Sequence, residues 1–182
     1  MIDEIYDVFD RAGNKVGQAT WTECHTKGFI HRCASALIFK NRSKQETLIQ
    51  QRSANMSQHP KLWTHAVGGH VLAGDTMEEG IRKELQEELF WNHSLPNLVI
   101  KKIVTFFNHD MPNNNEFLTL FEVIYSGPFF YNPTEVAKPP EWIAWPKLID
   151  DMRRSPAKYT PVFHKIIDVY EAPAKHADGP QF

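Results

Sequence analysis

Residues 68–89 read Gly68-Gly69-His70-Val71-Leu72-Ala73-Gly74-Asp75-Thr76-Met77-Glu78-Glu79-Gly80-Ile81-Arg82-Lys83-Glu84-Leu85-Gln86-Glu87-Glu88-Leu89. Three glycines run into a helix start, with Asp75 or Thr76 available as N-cap. At ~100° per residue, Met77, Ile81, Leu85 and Leu89 fall on one apolar stripe. Glu84, Glu87 and Glu88 gather on a neighbouring arc. Gly80 falls inside that arc, and an interior glycine costs a helix about 1 kcal/mol against alanine. Its presence predicts a close approach to the backbone at that point. Three carboxylates on one turn suit a hard divalent cation such as Mg²⁺, which binds oxygen ligands and bridges to substrate phosphates. Taken alone, Glu-x-x-Glu-Glu is more often a solvated face. What decides between the two readings is the context in front of the helix.

Outward from this helix, predicted over residues 76–91, strand-like runs dominate. Residues 5–9 and 15–20 flank the turn-rich Arg11-Ala12-Gly13-Asn14 and read as a hairpin. Residues 33–39 and 47–51 are two more runs, and a loop containing Pro60 leads to His65-Ala66-Val67 and the glycines. Residues 99–107 and 117–125 are apolar on both faces, as in strands covered from two sides, with a polar loop at 109–115 between them. Short helices are predicted over 147–153 and over 161–170, the latter opening on proline. The pattern is that of an α/β (α+β) domain, a mixed sheet with helices packed on it. It is expected to be a single domain over residues 1–172, with 1–28 as an N-terminal hairpin extension and 173–182 as a flexible tail.

The chain has 182 residues, 42% hydrophobic and 23% charged, enough to bury roughly 70% of its unfolded surface in one core. Lys+Arg 20 against Asp+Glu 22 leaves a net charge of −2 without a basic run, which argues against a nucleic-acid polymer as partner. No window approaches the ~20 apolar residues of a membrane span. The acidic N-terminal residues and only two cysteines, Cys24 and Cys33, lead us to expect a cytoplasmic protein with free thiols.

The segment resembles the Nudix box, which reads Gly, five residues, Glu, seven residues, then Arg-Glu-U-x-Glu-Glu-x-Gly-U with U aliphatic. Gly69 opens the pattern here, Asp75 stands for the Glu and Lys83 for the Arg, and Glu84, Leu85, Glu87 and Glu88 match. Phe90 replaces the closing glycine and Trp91 the aliphatic residue. Asp75 is one methylene shorter than Glu, and Lys83 lacks the planar fork of arginine. Phe90 is ill suited to a left-handed helix end, so the helix is expected to run on toward Asn92. The resemblance implies the Nudix fold, an α/β/α sandwich, and a metal-dependent hydrolase with Mg²⁺ or Mn²⁺ at Glu84, Glu87 and Glu88. Its small-molecule substrate would be a nucleoside diphosphate linked to another moiety. A non-catalytic nucleotide-binding module is the alternative of another class.

The flanks resemble isopentenyl-diphosphate isomerases and the hydrolases related to them, through Asp7-Val8-Phe9-Asp10, Glu23-Cys24-His25, His31-Arg32 and Gln50-Gln51-Arg52-Ser53. In those isomerases three histidines and two glutamates bind a metal. The matching residues here are His25, His31, His70 and Glu116, with Asn114 in the fifth place. This set forms a candidate second metal site, the alternative being a polar pocket lining with His70 near the phosphates. The isomerases also need a catalytic cysteine where this chain has Gly68. A glycine moves no proton, so the balance tips to hydrolysis. Arg52 is the candidate phosphate clamp, and the backbone N–H groups of residues 68–74, including Gly68, Gly69 and His70, are expected to contact phosphate oxygens. Glu88, Glu116 and Glu135 are, in that order, the candidate general bases. Phe106, Phe107 and Trp63 either stack on substrate or belong to the core. His59, His93, His164 and His176 carry no motif and are expected at the surface or in packing. Substrate choice is expected in the loops 108–115 and 129–138. Residues 142–145, with Trp142 and Trp145, face either the core or a partner such as a second copy in a homodimer.

Overall fold

The computed structural model describes residues 3–176 and Pro180. Strands β1 (Ile5–Phe9) and β2 (Lys15–Thr20) form the hairpin. Its turn is held by Asp10, whose Oδ1 accepts from the backbone of Ala12 and Asn14, both at 2.9 Å. A helix that the strand pattern did not reveal follows, α1 (Trp21–Lys27). Its signals are local: Thr20 and Glu23 form a capping box, and Gly28 ends the helix at φ 72°.

The main sheet has seven strands: β3 (His31–Phe39), β4 (Glu46–Gln51), β5 (Trp63–His65), β6 (Val67–His70), β7 (Ile100–Asn108), β8 (Glu116–Ile124) and β9 (Glu141–Ala144). Along one path the order is β5-β4-β3-β8-β7, with β6 also paired to β3 and β9 to β4. The central pair β3/β8 is parallel and the other pairs are antiparallel. All nine residues of β3 are buried, because helices cover both faces. On one face α2 (Met77–Glu84) and the π-helical turn Leu85–Leu89 lay Met77, Ile81, Leu85 and Leu89 against Ala34, Ala36, Ile38 and Val67. On the other, α3 (Trp145–Arg154) and α4 (Pro161–Glu171) cover Cys33, Leu37, Leu118 and Leu120 with Leu148, Phe163 and Ile166. This is the expected α/β/α sandwich with a mixed sheet and an N-terminal hairpin.

Several local expectations are corrected or sharpened. Thr76 is the N-cap of α2, in a capping box with Glu79. The helix does not run on to Asn92. It ends at Leu89, with Phe90 at φ −124° and Asn92 supplying the left-handed residue at φ 58°. The final turn is π-helical, a form favoured at functional sites. The approach to Gly80 comes from within the fold, since a Cβ there would stand 2.7 Å from Val71 Cγ2. Trp142 packs on the α2-side core and Trp145 on the opposite one. In the tail, Pro173–Lys175 form one 3₁₀ turn, while residues 177–179, 181 and 182 lie outside the described residues.

Candidate active site

Strand register places the chemistry. In β6, Gly68 lies opposite Ser35 and His70 opposite Cys33, and in the parallel pair His31 lies opposite Glu116. Strand alternation therefore sends Gly68 and His70 to the α4 face and Gly69 to the α2 face. A Cβ on Gly69 would stand 2.5 Å from both carboxylate oxygens of Glu84, and one on Gly68 would stand 2.5 Å from Ser35 Oγ and 2.7 Å from His65 Nε2. Both glycines are there because neighbouring side chains occupy the space.

A cleft of about 380 Å³ wraps this strand, lined among others by Glu84, Glu87, Arg52, Glu135, His70 and Glu116. Glu88 is buried, with Oε2 accepting from Gln50 Nε2 at 2.5 Å and Oε1 from the Gly68 N–H at 3.2 Å. Glu87 is more open, 3.8 Å from Lys83 Nζ. Burial first, and then the charges of Glu88 and Glu87, raise the Glu84 carboxyl well above the usual range. Burial pushes Glu88 up to about 7, against the hydrogen bonds from Gln50 and Gly68 and with the charge of Glu135 adding to the rise. Glu135 is raised by burial and by Glu87. Carboxylates crowded in this way are stabilised by a cation among them.

The second cluster draws on four elements. One ligand atom each from His25 (α1), His31 (β3), His70 (β6) and Glu116 (β8) lies within 4.8 Å of all the others. His25 Nδ1 is 2.9 Å from the Trp21 carbonyl and His31 Nδ1 is 3.0 Å from that of Phe29. A carbonyl only accepts, so each Nδ1 carries a hydrogen, and the neutral form of either ring presents its lone pair at Nε2. The Nε2 atoms of His25, His31 and His70 are all buried without a hydrogen-bond partner. Glu116 Oε1 stands 4.0 Å from His31 Nε2 and 3.9 Å from His70 Nε2, too far for direct hydrogen bonds. Its Oε2 is fixed by Asn108 Nδ2 at 2.8 Å. Burial pushes His31 down to about 4 and His70 well below the usual range, so both are neutral near pH 7, the state that binds metals. The donor set fits a divalent ion with affinity for nitrogen. Asn114, whose Nδ2 donates to Asp110 Oδ1 at 2.7 Å, leaves Oδ1 buried and unpartnered.

The sequence matches the NUDIX domain over residues 30–163. The chain belongs to the NUDIX domain family. Among curated relatives it is 29% identical over 170 residues to isopentenyl-diphosphate Delta-isomerase 2 of Photorhabdus laumondii, covering 92% of each chain. It is 33% identical over 119 residues to Nudix hydrolase 3 of Arabidopsis thaliana, which covers 65% of this chain and 15% of that one. Among solved structures it resembles the protein DR0079 from Deinococcus radiodurans with a TM-score of 0.68 and 24% identity, over 84% of this chain and 90% of the other.

The Nudix loop is built differently from what its glycines suggest. The N–H of Gly68 goes to Glu88, Val71 to Arg32 O, Ala73 to Ile5 O, Gly74 to Asp7 Oδ2 and Asp75 to Leu72 O. These donors are taken within the fold, so the expectation that residues 68–74 present their N–H groups to phosphate is corrected at those positions. Asp75 contributes its carbonyl, which accepts from Arg32 Nη2 at 2.8 Å. Arg52 lies in the cleft without an ion-pair partner within 4.0 Å among the described residues. Its Nε donates to Gln58 O at 3.0 Å, and burial lowers its pKa against the opposing charges of Glu88, Glu135 and Asp110.

Of the aromatic candidates, Phe106 is core, Phe107 lies under Arg11 and Trp63 under Lys138. Trp21, stacked on His25 at 4.3 Å, does line the cleft. His59 is also misplaced by the sequence reading: it lines the cleft, 3.8 Å from Asp110. His65 and the 56–59 segment were missed as well. A loop around Pro60 carries no periodic signal that would have marked them. The loops 108–115 and 129–138 do reach the cleft, through Asp110, Asn114 and Glu135.

Proposed function

We propose that this Nudix-type pyrophosphohydrolase cleaves the diphosphate linkage of a nucleoside diphosphate joined to another group, with Glu84, Glu87 and Glu88 holding Mg²⁺ or Mn²⁺. The observation that carries this reading is the crowding of those carboxylates, Glu84 and Glu87 lining the cleft that also contains Arg52 and Glu88 buried beside them, with Glu84 and Glu88 raised by burial. A divalent ion there supplies charge neutralisation and an acidified water. Arg52, with no ion-pair partner within 4.0 Å among the described residues, binds phosphate oxygens. Glu88, anchored at both oxygens by Gln50 and Gly68, orients the set. Glu116 belongs to the imidazole cluster. That leaves Glu135 as the general base: it lines the cleft, feels the charges of Glu87 and Arg52, and among the described residues has only Oε1 engaged, by Asn132. This reverses the order expected from sequence. His25, His31, His70 and Glu116 form a second site, for an ion such as Zn²⁺ or Mn²⁺, and metal analysis of the purified chain tests it.

The isomerase relatives favour a second reading, allylic rearrangement of a C5 diphosphate. Against it, Ser35 and His65 close over Gly68 where the isomerases carry their cysteine. The experiment is Mg²⁺-dependent monophosphate release from nucleotide sugars, dinucleotides and nucleoside triphosphates by the wild type, Glu87→Gln and Glu88→Gln. Both variants are expected to lose at least ~100-fold in turnover. Wild-type turnover in both would remove the helix from catalysis, and rearrangement without phosphate release would establish the isomerase.

A further inference from the structure

Lys83, the residue that stands for arginine in the box, sits between two carboxylates. Its Nζ is 3.2 Å from Glu4 Oε1 and 3.8 Å from Glu87 Oε1. Glu4 belongs to the segment entering β1 and lines the cleft. Its other oxygen, Oε2, accepts a 2.7 Å hydrogen bond from the hydroxyl of Tyr6. Tyr6 is fully buried, and its ring lies against the imidazoles of His31 and His70, with centroids 5.8 and 5.1 Å apart. Packing therefore sets where the Tyr6 hydroxyl stands, the hydroxyl sets Glu4, and Glu4 offers Lys83 a nearer partner than Glu87. As it stands the ammonium is shared, nearer to Glu4 and only loosely paired with Glu87; without Glu4 it would close on Glu87, and a cation at the carboxylates would have to displace it.

We propose that Glu4 is a positioning residue for the carboxylate site: held by Tyr6, it draws the Lys83 ammonium away from Glu87 and leaves Glu87 open to a divalent cation. This rests on the reading of Glu84, Glu87 and Glu88 as the cation-binding set. It also gives the N-terminal strand a role in both halves of the cleft, because the same tyrosine braces two members of the imidazole cluster. The departure of Lys83 from the box then has a compensating partner outside the box.

The test is Mg²⁺ titration calorimetry on the full chain, since Mg²⁺ selects oxygen donors over imidazole. Glu4→Gln is expected to weaken Mg²⁺ binding about three- to tenfold at low ionic strength. The difference should shrink with added salt, because Glu4 and Lys83 are part-exposed. Tyr6→Phe, which keeps the ring and loses the hydroxyl, moves affinity the same way by less. The deciding arm is the Lys83→Met background, where adding Glu4→Gln should change affinity less than about twofold. An equal loss in both backgrounds would make Glu4 a direct cation ligand or a general structural residue, and would overturn the proposal. Mg²⁺ binding indifferent to Glu4→Gln overturns it alone, while no Mg²⁺ binding by the wild type overturns the carboxylate reading with it.

Discussion

Replacing Gly69 by alanine separates fold from function in this cleft. The added methyl would stand 2.5 Å from both Glu84 carboxylate oxygens, where ordinary contact begins near 3.4 Å, so the carboxylate must retreat by about 1 Å. Gly69 does not sit at positive φ, so alanine strains no backbone, and the obstacle is the far end of a flexible side chain. We expect the thermal midpoint to fall by no more than a few degrees. A misplacement of about 1 Å in a reacting constellation costs on the order of 100-fold. The assay is kcat/KM for Mg²⁺-dependent hydrolysis beside a thermal melt, with Gly17→Ala as control, since nothing lies within 4 Å of a Cβ there. In the Gly69→Ala background, Glu84→Gln should add little, because both changes act on one carboxylate. Activity of Gly69→Ala within threefold of wild type would refute the geometry. So would a loss of activity that follows a drop in midpoint of more than about 10 °C.

Two further outcomes follow from burial. Glu88 is pushed from 4.5 up to about 7 in the fold, so between those pH values the native chain binds protons that the unfolded chain has released. The contribution of Glu88 to the stability of the metal-free protein should therefore fall as pH rises from about 4.5 to 7 and level off above, while His31 and His70, which burial pushes down, contribute the opposite slope. Urea midpoints at stepped pH check this as a difference: the stability of the wild type relative to Glu88→Gln should fall through this window, and a difference that rises through it would contradict the assignment. Gly80→Ala should gain about 1 kcal/mol of helix propensity but lose about 1–3 kcal/mol to overpacking against buried Val71. A net loss in urea unfolding is expected, recovered when Val71→Ala makes room.

The local parts of this architecture were legible before folding. The stripe of Met77, Ile81, Leu85 and Leu89 follows helical periodicity, and all four are buried as that periodicity requires. Residues 117–125 show no strict alternation and, apart from Thr119 and Glu122, are apolar or aromatic, and β8 is covered on both faces. Helix α1 was hidden because seven residues carry too little periodicity, although Thr20, Glu23 and Gly28 spelled out its two ends. Strand β9 pairs with β4 over only four residues, too short a run to stand out.

What sequence alone determined is the helix, its acidic arc and the glycine entry, because capping, periodicity and chain stiffness act over a few neighbours. Tertiary structure decided the rest. His31, His70 and Glu116 meet only because β3 pairs in parallel with β8 and antiparallel with β6 in a particular register, and α1 brings His25 to them. A one-residue slip would send every second side chain to the opposite face. The loop N–H groups turned inward because Arg32, Asp7 and Glu88, distant in sequence, had already claimed them. Spacing names the residues, while the long-range hydrogen-bond partners that aim each group exist only once the chain has closed on itself.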